Sequence, residues 1–413
     1  MNRYLRSCPL TLNTTRICGT DSVNTSIEVS RIGFTNMKPN AVILINENEV
    51  FDGIAATSLV HHPINAAILF TDGDSLSKET LTEIQRLSPK GYKGIHVILV
   101  GNISKNVSSE LNHYGFRTHY IKGRNHYETA CMIPSMREEF ENILIISGED
   151  YSEGIVAGYW SAHHGDPILF VQKNNIPYCT EEVIKKMNDI NVYIIGSTKT
   201  VSEVVESSLS EMDNIKNLNR IDGETPYDIS VNFAKYKDSK TEFGWDRNYK
   251  EGHAFTFGNL NYPMKIIAGV LFAHMGKHTP SLLIRKDRIP AAVEGYIKSV
   301  KPLPKDTPMP PFMHGFILGY TEDISYDIQI MIEDILSIDH EMIEKSTMQN
   351  SDDMHMMHHS DHMMEMNHPM MHHHEDVIHD EMTNDCNQKM NKDHTLERLN
   401  YNYRRVSIDE ILG

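Results

Sequence analysis

Three phrases decide the fold: Ser152-Glu153-Gly154-Ile155-Val156-Ala157, Pro167-Ile168-Leu169-Phe170 and Val192-Tyr193-Ile194-Ile195-Gly196. In order they read as an Ala/Gly-rich helix start, a buried apolar strand and a second strand ending in glycine. The same three phrases recur on either side. Upstream they are Phe51-Asp52-Gly53-Ile54-Ala55-Ala56, Ala67-Ile68-Leu69-Phe70 and Val97-Ile98-Leu99-Val100-Gly101. Downstream they are Pro263-Met264-Lys265-Ile266-Ile267-Ala268, Pro280-Ser281-Leu282-Leu283 and Gly315-Phe316-Ile317-Leu318-Gly319. Turn glycines Gly19, Gly123 and Gly223 open each round. A self-similarity of about 100 residues is the mark of a triplicated unit, and the fold is read one unit at a time.

Short apolar runs flanked by helical patterns indicate parallel α/β units, whose strands are covered on both faces. In the first unit a strand is expected at Ala41–Ile45, then a helix opening at Gly53, a strand at Ile68–Thr71 and a helix from Ser77 to Leu87. A strand at His96–Val100 and a helix over Ser104–Tyr114 follow, both helices with serine starts. The fold class expected is α/β: three tandem Rossmann- or flavodoxin-like parallel-sheet subdomains in a pseudo-threefold arrangement, followed by a disordered tail. The boundaries read 10–118, 119–218 and 219–338 for the repeats, 339–394 for the tail and 395–413 for a short last segment. Residues 238–251 in the third repeat read as an inserted polar loop, and a proline-rich stretch from Pro302 to Pro311 precedes its last strand.

The chain has 413 residues, 40% hydrophobic and 23% charged, with a formal charge of −17. That charge excludes general nucleic-acid binding, because no excess of Lys and Arg is present to displace phosphate counterions. No apolar run reaches the roughly 18 residues of a membrane-spanning helix. The first ten residues lack the apolar core of a secretory signal. Cys8, Cys18, Cys131, Cys179 and Cys386 form no CxxC pair and suit reduced thiols. Taken together these features predict a cytoplasmic protein.

The phrase Tyr120-Ile121-Lys122-Gly123-Arg124-Asn125-His126-Tyr127-Glu128-Thr129-Ala130 resembles the opening of the cell-wall-binding repeat type 2 family. Arg16-Ile17-Cys18-Gly19 with Thr25-Ser26, and Arg220-Ile221-Asp222-Gly223 with Tyr227, are similar. So are the helix starts and strands quoted above, and Val107-Ser108, Val201-Ser202 and Ile324-Ser325. The likeness runs over roughly residues 14–338. It implies three α/β subdomains in one non-catalytic module that holds exported proteins to anionic wall polymers, with basic side chains in the grooves between subdomains. Arg16, Arg124 and Arg220 are then the polymer-binding candidates. Departures are the acidic position of the helix start, filled by Asp52 and Glu153 but by Met264 in the third unit, and the degraded phrases Ser22–Thr25 and Pro226–Ile229.

Residue by residue, the turn glycines are expected to adopt φ > 0, and Asp52 and Glu153 to cap helix N-termini. Arg16 and Arg220 are read first as partners of a neighbouring carboxylate and only second as polymer contacts. No GxGxxG or GxxxxGK[ST] motif follows a strand, so no cofactor is expected. An α/β enzyme would use Asp52, Glu149, Asp150, Glu153, His163 and His164, but no nucleophile–base spacing singles them out, and the chain is read as non-catalytic. His61-His62, His163-His164 and the pair His274 and His278 recur near the ends of the Ala-rich helices, where protonated imidazole is favoured, so an end-capping role stands beside metal binding.

The strongest chemical signal is the segment containing Met354, His355, Met356, Met357, His358, His359, His362, Met363, Met364, Met366, His368, Met370, Met371, His372, His373, His374 and His379. Thioether sulfur suits Cu(I), and imidazole suits Cu(II), Ni(II) and Zn(II). Neighbouring Asp and Glu residues favour bringing in a cation. The main expectation is therefore a binding protein that sequesters transition metal ions, copper first and nickel or zinc next, as bound ligands rather than required cofactors. The alternative is a surface protein held to anionic cell-wall polysaccharide through its repeats.

Overall fold

The computed structural model describes residues 10–337, apart from 138, 251, 276–277 and 303–312. Twelve strands are found among them. They are β1 (Thr14–Ile17), β2 (Val42–Asn46), β3 (Ala67–Thr71), β4 (Val97–Val100), β5 (Thr118–Ile121) and β6 (Asn142–Ser147), then β7 (Ile168–Val171), β8 (Ile190–Ile195), β9 (Ile215–Ile221), β10 (Ala254–Asn259), β11 (Ser281–Ile284) and β12 (His314–Leu318). They form three sheets with the orders β3-β2-β4-β5, β7-β6-β8-β9 and β11-β10-β12-β1, and every pairing is parallel. The fold is α/β with three parallel-sheet subdomains, as the repeats imply.

Each sheet runs second-first-third-fourth, the flavodoxin-like order. In the third sheet the fourth strand is β1, from the start of the described chain. Thr14 pairs with Gly315 and Ile17 with Leu318. Sequence repeat and sheet are therefore out of phase by one strand, and β5 straddles the boundary read between residues 118 and 119. The central strands are buried along all or nearly all of their length, Val-Ile-Leu-Ile-Asn in β2 and Ile-Asn-Val-Tyr-Ile-Ile in β8 throughout. Helices on both faces leave such strands no polar side.

Helices form where the serine starts are. Lys78–Leu87 begins at Ser77, whose hydroxyl accepts the N–H of Thr80, and Lys105–His113 at Ser104, which accepts that of Asn106. The central segments are short: Val50–Ala55 with a 3-10 turn Ala56–Val60, Ala157–His164, and Pro263–Ala268 with Leu271–His274. These pack on one another across the three units. Small residues allow it: a Cβ on Gly269 would fall 2.5 Å from the Tyr159 hydroxyl.

The expected polar loop at 238–251 is instead anchored in the core. Phe243 and Trp245 are buried, and Phe243 stacks on Tyr193 at 3.6 Å and lies 4.6 Å from Trp160. The Tyr193 hydroxyl donates to Asp238 at 2.8 Å. Each buried aromatic contributes roughly 2–3 kcal/mol by burial, and the polar residues between them hid that pattern from a reading by composition.

Candidate binding site at the unit junctions

Each fourth strand ends in a turn that packs on the next helix. After β1, β5 and β9 come Gly19, Gly123 and Gly223, and two residues later a cap: Asp21, Asn125 and Thr225. Their side chains accept the N–H groups of Asn24, Glu128 and Asp228, the same position each time. The turn glycines do not have the positive φ expected of them. Their hydrogen is needed for room, since a Cβ on Gly123 would lie 2.4 Å from the Glu128 Cβ, and one on Gly19 2.3 Å from the Thr25 backbone. Positive φ occurs one strand away, at Gly101 (79°), Gly196 (146°) and Gly319 (106°). There the amides of Gly101, Gly196 and Gly319 donate to Ile121, Ile221 and Ile17 at 2.9, 3.0 and 2.9 Å.

Beneath each of these glycines lies a buried carboxylate, and it does not cap its own helix as expected. In the second unit Glu153 accepts the Ser197 amide at 2.7 Å, the Ser197 hydroxyl at 2.9 Å and the Thr200 hydroxyl at 2.6 Å. In the third the acid is Asp323, which accepts the Tyr320 amide at 2.8 Å and pairs with Lys265 at 2.6 Å. Lys265 Nζ also donates to the carbonyls of Gly19 and Thr20, at 3.0 and 3.3 Å. In the first, Asp52 is bonded to Thr129, while its Oδ1 is buried without a partner. Burial, and then the charge of Glu49, push its carboxyl up to about 6.

Of the three arginines named as polymer candidates, two turn inward, and Arg220 pairs with a carboxylate, the first of its two expected roles. Arg16 is buried, donating to Gln329, to the carbonyls of Gly319 and Ile324 at 3.1 and 2.8 Å, and to that of Ser325. Burial lowers its pKa to about 10. Arg220 donates to Glu206 at 2.7 Å and to the Gly196 carbonyl at 2.8 Å. Both clamp the glycine that ends the third strand of a sheet, a role that the Arg-Ile phrase conceals because it sits beside the turn glycine. Arg124 alone of the three faces solvent, its side chain 89% exposed, with Glu128 accepting from Nε at 2.8 Å. It borders a depression of about 520 Å³ shared with Lys122, Cys131, Met132 and Cys179. Lys122, passed over in the sequence, donates to Asn102 at 2.8 Å.

The enzyme candidates are not brought together. Asp52 and Glu153 lie under their glycines, Glu149 accepts the Lys173 amide, Asp150 accepts that of Ser152, and His163 and His164 end the helix Ala157–His164. The recurrent histidines do converge. His61 lies 5.1 Å from His274, and His163 lies 4.8 Å from His278 and from His164, ring to ring. Trp245 stacks on His163 and Trp160 on His164. Burial pushes His61 and His274 down to about 4 and also holds His163 well below the ordinary imidazole range. They are thus neutral rings packed between units, not the protonated helix caps the sequence suggested. No group of three His, Cys, Asp or Glu among the described residues is arranged to hold a metal ion. The His/Met segment, from Met354 to His379, lies outside the described residues, as do the last-segment and tail boundaries at 339–413.

Cys18 is disulfide-bonded, against the expectation of reduced thiols, while Cys131 and Cys179 are free. No described helix is long and apolar enough to cross a membrane.

Residues 121–206 match the family described as Cell wall binding domain 2. The matched stretch begins at the end of β5 and includes Lys122, Arg124 and the whole second-unit strand set up to β8. Over 324 residues, 78% of this chain, it is 26% identical to the Amidase enhancer of Bacillus subtilis (strain 168). Over 261 residues it is 26% identical to the N-acetylmuramoyl-L-alanine amidase LytC of the same organism. The chain spans less than half the length of these relatives, 40% and 48%. Among solved structures, Cwp6 from Clostridium difficile superposes with a TM-score of 0.66 at 19% identity, over 81% of this chain and 50% of that one. Cwp8 from the same organism gives 0.63 at 21% identity, over 78% and 52%. These structural likenesses speak to the fold alone.

Proposed function

We propose that this chain is a non-catalytic binding module that attaches to an anionic cell-wall polymer at the cell surface, through the junctions between its α/β units. The observation that carries the reading is the depression beside Arg124 and Lys122, which lies inside the segment matching the wall-binding family. There an 89%-exposed guanidinium is held outward by Glu128, on a chain whose total charge is −17. Long-range attraction to a polyanion is therefore absent, and binding rests on local, charge-assisted hydrogen bonds. The relatives' names point to the wall, and a disulfide at Cys18 suits an oxidising compartment better than the cytoplasm.

The test is co-sedimentation of the full chain with purified walls, before and after the anionic polymers are stripped. Binding is expected only to the intact walls, to weaken with salt, and to fall about tenfold in Lys122→Glu/Arg124→Glu. Equal binding to stripped walls would refute the reading.

A second reading concerns the His/Met segment, which supplies sulfur and imidazole donors at a density that suits copper. We propose that it sequesters transition metal ions as an added property of the module. Competition titration with Cu(I) and Ni(II) is expected to give sites in the full chain that vanish when the chain ends after Lys345. Equal stoichiometry in both would dismiss it.

A further inference from the structure

Cys131 and Cys179 lie on two neighbouring helices of the second repeat. Cys131 lies near the end of the helix His126–Met132, which follows β5. Cys179 lies in the first turn of Tyr178–Lys185, which follows β7. These helices pack together, and the two partly exposed thiols meet there, Cys131 hydrogen-bonding to Cys179 and lying 3.8 Å from the Thr180 hydroxyl. Both open onto the depression of about 520 Å³ at the first junction. Arg124, on its rim, interacts electrostatically with Cys179.

We propose that Cys131 and Cys179 are a modification site: a dithiol that reacts with small anionic disulfides and closes into an intrachain disulfide joining the helices His126–Met132 and Tyr178–Lys185. The roles follow from the surroundings. Arg124 and Lys122 border the depression and favour an anionic partner there. Burial and the adjacent Cys179 push the Cys131 thiol up, so it is the second thiol to react.

The Cys179 thiolate attacks one sulfur of a small disulfide RSSR, breaking its S–S bond, forming the mixed disulfide Cys179–S–S–R and expelling RS⁻. That thiolate takes up the Cys131 proton. Cys131 sulfur then attacks Cys179 Sγ, forming the Cys131–Cys179 bond and expelling the second RS⁻. Two protein thiols are oxidised and one RSSR is reduced to two thiols, with no other reactant. The ring so closed spans 48 positions, long enough for the cross-link to restrict the unfolded chain substantially. It also fixes the floor of the depression that carries Arg124, and it stands whichever polymer that depression meets.

The experiment treats the full chain with oxidised glutathione at graded ratios to reduced glutathione, followed by differential alkylation and peptide mapping. In the unaltered chain Cys131 and Cys179 are expected to lose reactivity together, to give one cross-linked peptide and to retain no glutathione at either position. Cys131→Ser is expected to keep glutathione on Cys179. Cys179→Ser is expected to leave Cys131 reacting about tenfold more slowly. The closed form is expected to melt several degrees higher. Glutathione retained on the unaltered chain without a cross-link would overturn the proposal, as would both thiols remaining open to alkylation in fully oxidised buffer. The unaltered chain decides the matter even if a serine variant fails to fold.

Discussion

At the second junction a single carboxylate, Glu153, is fully used: one amide and two hydroxyls converge on it. The third junction reaches the same end with a pair. Asp323 takes the corresponding amide, and Lys265 balances its charge while tying down the carbonyls of Gly19 and Thr20. The first has neither arrangement, for Asp52 keeps one oxygen buried and unbonded. Three copies of one backbone thus hold three polar solutions, graded from satisfied to strained. The geometry of the turn and the glycine above it is fixed by hydrogen bonds common to all three. What fills the space beneath varies: the amide after the glycine is answered by the acid in the second and third units, and in the first the carboxyl is pushed up to about 6. Where the third unit loses its acid at Met264, the adjacent Lys265 and the distant Asp323 replace it, and in doing so fasten β1 into a sheet whose other strands lie some 240 residues away.

The sharpest way to break this comparison is Lys265→Met. It leaves Asp323 buried without its counter-charge and frees two carbonyls, and is expected to cost about 3–5 kcal/mol in chemical denaturation. Adding Asp323→Asn is expected to return a good part of that loss. Additive losses from the two changes would mean that the residues do not act as a pair.

Asp52→Asn is expected to do the opposite and stabilise, by about 2 kcal/mol at pH 7.5. Burial holds the folded carboxyl up at about 6, against the ordinary 3.8 of the free group. As pH rises through that interval the unfolded chain gives up its proton first, so the native form loses stability. The gain from Asn is therefore expected to disappear at pH 4, and an undiminished gain there would show that charge is not its source.

The smallest effect concerns the histidines between the units, where the sign is reversed. His61 and His274 are held down to about 4 in the fold. As pH falls from 6.5 towards 4 the unfolded chain takes up protons that the folded chain refuses, and stability declines. His274→Gln is expected to lessen this acid loss by on the order of 1 kcal/mol, allowing for partial exposure of the ring. An unchanged pH profile of the melting temperature would remove the ring from the account.

How far the sequence could be read depended on the range of the interaction. The helices from Ser77 and Ser104 were legible because a cap and its amide lie three residues apart or fewer. The apolar strands were legible because continuous apolar runs leave no choice of face. Arg16 and Arg220 were weighed between polymer and partner, and their burial came from segments elsewhere in the sheet. Phe243 and Trp245 were hidden in a polar insertion whose anchor, Tyr193, is about 50 residues earlier. The turn glycines were correctly marked as special for the wrong reason, since steric room against the next helix leaves the same signature as a left-handed φ.

By itself the sequence determined that there are three α/β units, where the three apolar strands of each lie and which phrases punctuate them, because local apolar runs, caps and glycines are written within a few residues of each other; the more polar fourth strands β1, β5 and β9 went unread. Only the tertiary structure decided that β1 closes the third sheet, that Lys265 answers Asp323, that Arg124 alone of three arginines meets solvent and that Cys131 meets Cys179. Each of those pairings joins side chains far apart along the chain, and the energy that selects them, removal of charge and apolar surface from water, exists only once the sheets have come together.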